Sequence, residues 1–169
     1  MRRAGARIGA ALPVVPLLIL GAGCSTIGEA SRSDTGRAHV GDCVDVATGS
    51  LTDSQTEPID CSADRAVYAV VSASHIPRDC GPEQSSYEET FRGDTTAYLC
   101  LAPNLKLDRC YHQDRETGFA NAECASSAAT VRVAARVDGR RDRSLCAPSA
   151  TFLLLSEPET TFCLENVDN

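Results

Sequence analysis

Nine cysteines in 169 residues constrain this chain more than any other feature, because one stands apart and eight fall into two rows of four. Cys24 directly follows an apolar N-terminal run. The first row is Cys43, Cys61, Cys80 and Cys100; the second is Cys110, Cys124, Cys146 and Cys163. Even rows of cysteines behind an export signal read as a disulfide framework, here repeated once, in an oxidising compartment.

The N-terminus has the pattern of a signal peptide over residues 1–23. Arg2, Arg3 and Arg7 open it, Ile8 to Leu20 form its apolar stretch, and Gly21-Ala22-Gly23 precede Cys24. That stretch is shorter than the roughly 20 residues a membrane-spanning helix needs, and it contains Pro13 and Pro16. The small residues before Cys24 resemble the lipobox of bacterial lipoproteins, which implies that Cys24 is acylated and becomes the first mature residue. Parity agrees, since a lipid on Cys24 leaves eight thiols that can all pair. The expected location is therefore the outer face of the plasma membrane, lipid-anchored; simple secretion with a free Cys24 is the alternative.

Residues 24–38 are rich in Ser, Gly, Thr and charge, and read as a flexible tether. The body then divides into a first half, 39–104, and a second, 105–169. Val40-Gly41-Asp42-Cys43-Val44 opens one and Leu107-Asp108-Arg109-Cys110-Tyr111 the other. The second cysteine of each row leads into a β-prone run, Ala66 to Ser72 and Thr130 to Val137, the latter with alternating Val131-Arg132-Val133. Cys80-Gly81-Pro82 and Cys146-Ala147-Pro148 match next. Proline two places after cysteine suits the first turn of a helix, with Tyr87 and Phe91 spaced for its inner face and Phe152 to Leu155 supplying the second helix. Strands through Cys100 and Cys163 close the halves. The expected fold is α+β, two duplicated disulfide-stapled β-β-β-α-β halves packed as a pseudo-twofold pair.

Eight cysteines allow on the order of a hundred connectivities, and duplication favours those that repeat in both halves. The local scheme joins Cys43 to Cys61, Cys80 to Cys100, Cys110 to Cys124 and Cys146 to Cys163. Halves of this size, with four Tyr, four Phe and no Trp between them, need such staples to supplement a small core.

The signal with its late cysteine, the Val-Gly-Asp-Cys opening, Cys61-Ser62, the gap from Cys100 to Cys110 and the closing Thr161-Phe162-Cys163-Leu164-Glu165 together resemble the LppU-type lipoproteins of mycobacteria and other actinobacteria. The first half, through Gly41-Asp42-Cys43 and Asp60-Cys61-Ser62, is also distantly similar to the actinobacterial septum-formation module. The first resemblance implies an envelope lipoprotein and supplies no catalytic residues.

Chemistry-bearing patterns are few. Removal of the signal leaves 13 basic against 23 acidic side chains, opposite to a nucleic-acid footprint. Arg140-Arg141-Asp142-Arg143 reads as a solvated turn. His39, His75 and His112 are scattered, and the cysteine steps lack the close pairs of zinc or thiol-redox sites. Glu88-Glu89 and Glu157 with Glu159 read as solvated surface rather than catalytic carboxylates. Asp42 and Asp45 read as turn caps rather than a calcium corner. No catalytic residue, metal or cofactor is assigned. The expectation is a non-enzymatic interaction module whose partners are the membrane, through Cys24, and an envelope protein or glycan; the alternative is an envelope hydrolase or redox accessory built from dispersed residues. The opening loop Ala47 to Glu57 is the largest difference between the rows and a candidate for recognition.

Overall fold

The computed structural model describes residues 33–48, 55–115 and 118–167. Ten antiparallel strands form two five-stranded sheets. The first contains β1 (Cys43–Thr48), β2 (Gln55–Ile59), β3 (Tyr68–Ser74), β4 (Ser85–Phe91) and β5 (Asp94–Pro103), in the order β2-β1-β3-β5-β4. The second contains β6 (Cys110–Asp114), β7 (Gly118–Ala122), β8 (Val131–Asp138), β9 (Thr151–Ser156) and β10 (Glu159–Asn166), in the order β7-β6-β8-β10-β9.

The halves are therefore not β-β-β-α-β, and the α+β expectation fails. Where helices were expected after Pro82 and Pro148, the chain forms β4 and β9. Tyr87 and Phe91 satisfy a helical spacing, but the two segments are only seven and six residues long between turns, too short for a stable helix and right for a strand. Arg92-Gly93, both at positive φ, then make a two-residue hairpin between Phe91 and Asp94. Cys61 and Cys124 sit in turns just after β2 and β7.

The two halves repeat in detail. Val44 lies opposite Tyr68 as Tyr111 lies opposite Val131, and Val70 opposite Leu101 as Val133 opposite Leu164. Both sheets carry a one-residue bulge at the same place, Val71 in β3 and Ala134 in β8, after which Ser72 meets Cys100 and Ala135 meets Cys163. The turns into β3 and β8 match as well: Ala63 N–H donates to Asp60 and Ala66 to Ala63, while Ser126 donates to Glu123 and Ala129 to Ser126. Gly41 and Asp108, each two residues before a half's first cysteine, share a left-handed backbone, with φ of 96° and 61°.

One side of each sheet faces a common core that includes Val44, Val70, Leu99 and Leu101 from the first half and Tyr111, Val133, Phe162 and Leu164 from the second. Alternation along the strands puts these side chains on a single face of each sheet. Tyr68 ties the halves together, its buried hydroxyl accepting the Phe119 N–H at 2.7 Å. The disulfides are Cys43–Cys61, Cys80–Cys100, Cys110–Cys124 and Cys146–Cys163, the within-half pairing that repetition implied.

The folded body starts earlier than the composition of the tether suggested. A 3-10 turn at Thr35–Arg37 buries Thr35 and Gly36, and Ala38 joins the core. Ser33 bonds to Glu89 on β4 through its N–H and its hydroxyl, while the Thr35 and Thr56 hydroxyls meet at 3.1 Å on β2. Residues 33–38 thus form a strap linking the two edge strands of the first sheet.

Candidate functional site

The loop from Gly139 to Ala150 folds over the outer face of β10. Asp142 N–H donates to the Thr161 hydroxyl at 3.0 Å, that hydroxyl donates to the Arg140 carbonyl at 2.7 Å, and Cys146–Cys163 staples the loop to the strand. Asp142 caps a 3-10 turn at Arg143–Leu145, accepting from the Ser144 hydroxyl at 2.7 Å and its N–H at 2.9 Å. The Ser144 side-chain bond, then its backbone bond, hold the Asp142 carboxyl below the usual range.

These bonds shape an open cleft of about 530 Å³ lined by Asp142, Arg143, Ser144, Cys146, Pro148 and Phe152. Phe152 lies opposite Cys163, so it points away from the core while Leu153, opposite Phe162, points toward it. The Arg143 guanidinium stacks over the exposed Phe152 ring, 5.2 Å from its centroid. Arg143 forms no ion pair among the described residues. The Ser144 hydroxyl is committed to Asp142, and no imidazole lines the cleft. A stacked cation beside an aromatic ring binds an anionic or planar group; it does not by itself activate a nucleophile.

The cleft adjoins β9, the edge of the second sheet. Its sequence, Thr-Phe-Leu-Leu-Leu-Ser, carries no charge, and its backbone bonds to no segment beyond β10 among the described residues. An uncharged apolar edge is a template for another strand. The matching edge strand of the first half, β4, has Glu88 and Glu89 and is bound by the strap.

Other sequence candidates disperse. Glu88 and Glu89 are successive residues of a strand and face opposite ways, Glu88 accepting from the Thr95 hydroxyl at 2.7 Å. Glu157 and Glu159 are exposed at the β9–β10 turn. Asp42 caps a turn, accepting the His39 N–H at 2.8 Å, but Asp45 does not: it is 4% exposed within β1 and pairs with Arg65 at 3.0 Å. His75 and His112 lie at backbone carbonyls of Thr96 and Ala128. Among the described residues no group of three or more His, Cys, Asp or Glu is placed to hold a metal. Cys24 and residues 49–54 of the opening loop lie outside the described residues.

Sequence reasoning missed the site itself. The sequence pattern places Arg143 in a solvated turn and Phe152 among the apolar residues of a second helix. The usable signal was the uncharged run from Thr151 to Ser156 at the position where the first half carries Glu88 and Glu89. No family model, curated protein or solved structure matches this chain.

Proposed function

We propose that this is a cell-envelope lipoprotein, anchored through acylated Cys24 outside the plasma membrane, and that it is a non-enzymatic interaction module whose contact surface is β9 with the Arg143–Phe152 cleft. The observation that carries this reading is the pairing of an uncharged, uncovered apolar edge strand with an exposed arginine that has no carboxylate partner among the described residues. Extended backbone and an acidic group are what such a surface recognises.

The anchor is supported by the disulfides, which use all eight body cysteines and leave Cys24 without a thiol in its own chain. The strap bears on how the module is presented. From Cys24 to Ser33 the chain spans at most about 30 Å, so the body is held close to the bilayer.

Photo-crosslinking tests the contact surface. A benzoylphenylalanine in place of Phe152 in the membrane-anchored protein should give a discrete crosslinked product, while the same probe at exposed Ile76 should not. Equal labelling at both sites, or none at Phe152, contradicts the reading.

A further inference from the structure

The place where the chain enters the body orients the first half on the membrane, a statement that rests on the lipid anchor at Cys24. We infer that the β4–β5 hairpin, with Phe91 and Arg92 at its tip and Ile76 beside it, is the end of the molecule that meets the bilayer and inserts into its interfacial layer. β3 pairs with β5 only as far as Ser74 opposite Tyr98. Asp94 to Ala97 therefore carry the hairpin about 13 Å past β3, paired with β4 alone. Ser33 bonds to Glu89, which faces Ala97 at the base of this projection. The chain from Cys24 to Ser33, with its taut limit of about 30 Å, is thus attached at the hairpin. Pro103, at the far end of β5, lies about 20 Å from Ala97, so turning that end to the membrane would use most of the reach in running back along the body.

The tip has the chemistry of a lipid interface. Phe91 is 41% exposed and Ile76 69% exposed. Ile76 follows His75, whose ring nitrogen meets the Thr96 carbonyl, so it flanks the same hairpin. The Arg92 guanidinium lies over the Phe91 ring, 5.1 Å from its centroid, and forms no ion pair among the described residues. A ring that enters the apolar boundary beside a cation that stays with the phosphates is an interfacial pair. Arg92 also holds a left-handed backbone, φ 55°, so a long side chain is kept at the tip against a backbone cost. The carboxylates nearby are exposed Asp94 and Glu88, which accepts from the Thr95 hydroxyl, so the tip carries no excess of positive charge. Burial of Phe91 and Ile76, not attraction to anionic lipid, drives the contact. The corresponding turn of the second half, between β9 and β10, is Glu157-Pro158, acidic at both ends of the proline and without an aromatic ring. The half that carries the tether thus has the apolar tip. A photo-probe at Ile76 meets lipid there and gives no discrete protein product.

The chain has no tryptophan, so single replacements report depth in the membrane. Phe91→Trp, Ile76→Trp and Leu107→Trp are made separately in the acylated protein, which is reconstituted into phosphatidylcholine vesicles with brominated acyl chains. Leu107, exposed and past the far end of β5, is the reference. All three positions are exposed, so the core is untouched. The Phe91→Trp emission should shift to the blue and lose about half its intensity to bromine, while Leu107→Trp should not change. Added salt should have little effect. Phe91→Asp introduced into the Ile76→Trp chain should at least halve the quenching read there, which assigns the contact to the native ring and not to the introduced indole. Equal quenching of Phe91→Trp and Leu107→Trp overturns the orientation, as does an Ile76→Trp signal indifferent to Phe91→Asp. Acylated-chain preparations that do not float with the vesicles overturn the anchor itself, and the orientation with it; flotation with equal quenching overturns the orientation alone.

Discussion

Glu89 and Leu155 occupy the same position in the two sheets, one facing Ala97 and the other its counterpart Thr160, yet one is a carboxylate gripping the N-terminal strap and the other a core residue 2% exposed. The duplicated halves have diverged most usefully along this strand. In the first half polar chemistry there binds residues 33–38; in the second, apolar chemistry extends to an uncovered edge.

The strap should be acid-sensitive through Glu89. Desolvation works to raise its carboxyl pKa, but bonds from the Ser33 hydroxyl, Tyr87, the Ser33 N–H and the Gly36 N–H outweigh it and hold the value below the ordinary 4.5. A depressed folded value means that the strap's stabilisation is present above the ordinary glutamate range and is lost as pH falls through the lowered one. Trypsin cleavage after Arg37 at neutral pH should accelerate about three- to tenfold in Glu89→Gln. Amide-exchange protection of residues 33–38, corrected for the intrinsic pH dependence of exchange, should fall on acidification in the native protein and lose most of that pH dependence in Glu89→Gln. Gly36→Ala should also loosen the strap, because an added Cβ collides with the Glu89 carboxylate.

Leu155→Ala should cost about 3 kcal/mol of global stability, measured by denaturant unfolding, because it empties a site in the shared core. The equivalent change Glu89→Ala should release the strap with a much smaller global effect.

Tyr68→Phe should cost about 1–3 kcal/mol, because it strands the Phe119 N–H that the tyrosine hydroxyl accepts across the two halves. Gly118→Ala should act in the same direction: its φ of 78° disfavours a side chain, and its Cβ would meet that same hydroxyl.

Replacing Cys146 and Cys163 together by Ser should cost about 3 kcal/mol and free the loop that carries Arg143, seen as loss of the Asp142–Thr161 hydrogen bond in amide exchange.

Much of the architecture was legible in the cysteine rows. Repetition pointed to the pairing and to the strands through Cys100 and Cys163. The fourth element of each half was not legible. Ser85 to Phe91 satisfies a helical spacing at Tyr87 and Phe91 as well as a strand alternation at Tyr87 and Glu89, and only pairing with β5 decides between them. The start of the body was hidden for a different reason. Small and polar residues from Ser33 to Arg37 read as a tether, and their burial depends on Glu89, 56 residues away from Ser33. The Arg143 cleft depends on Thr161 and Cys163 drawing a distant loop across β10, which no local pattern announces.

Amide hydrogen exchange along β9, compared between the membrane-anchored protein and the dilute Cys24→Ser chain, tests the contact surface most directly. Thr151 to Leu155 should gain protection in the anchored state while Ser85 to Glu89, the equivalent segment of the first half, should not change. Identical exchange of β9 in the two states would contradict an interaction through this edge.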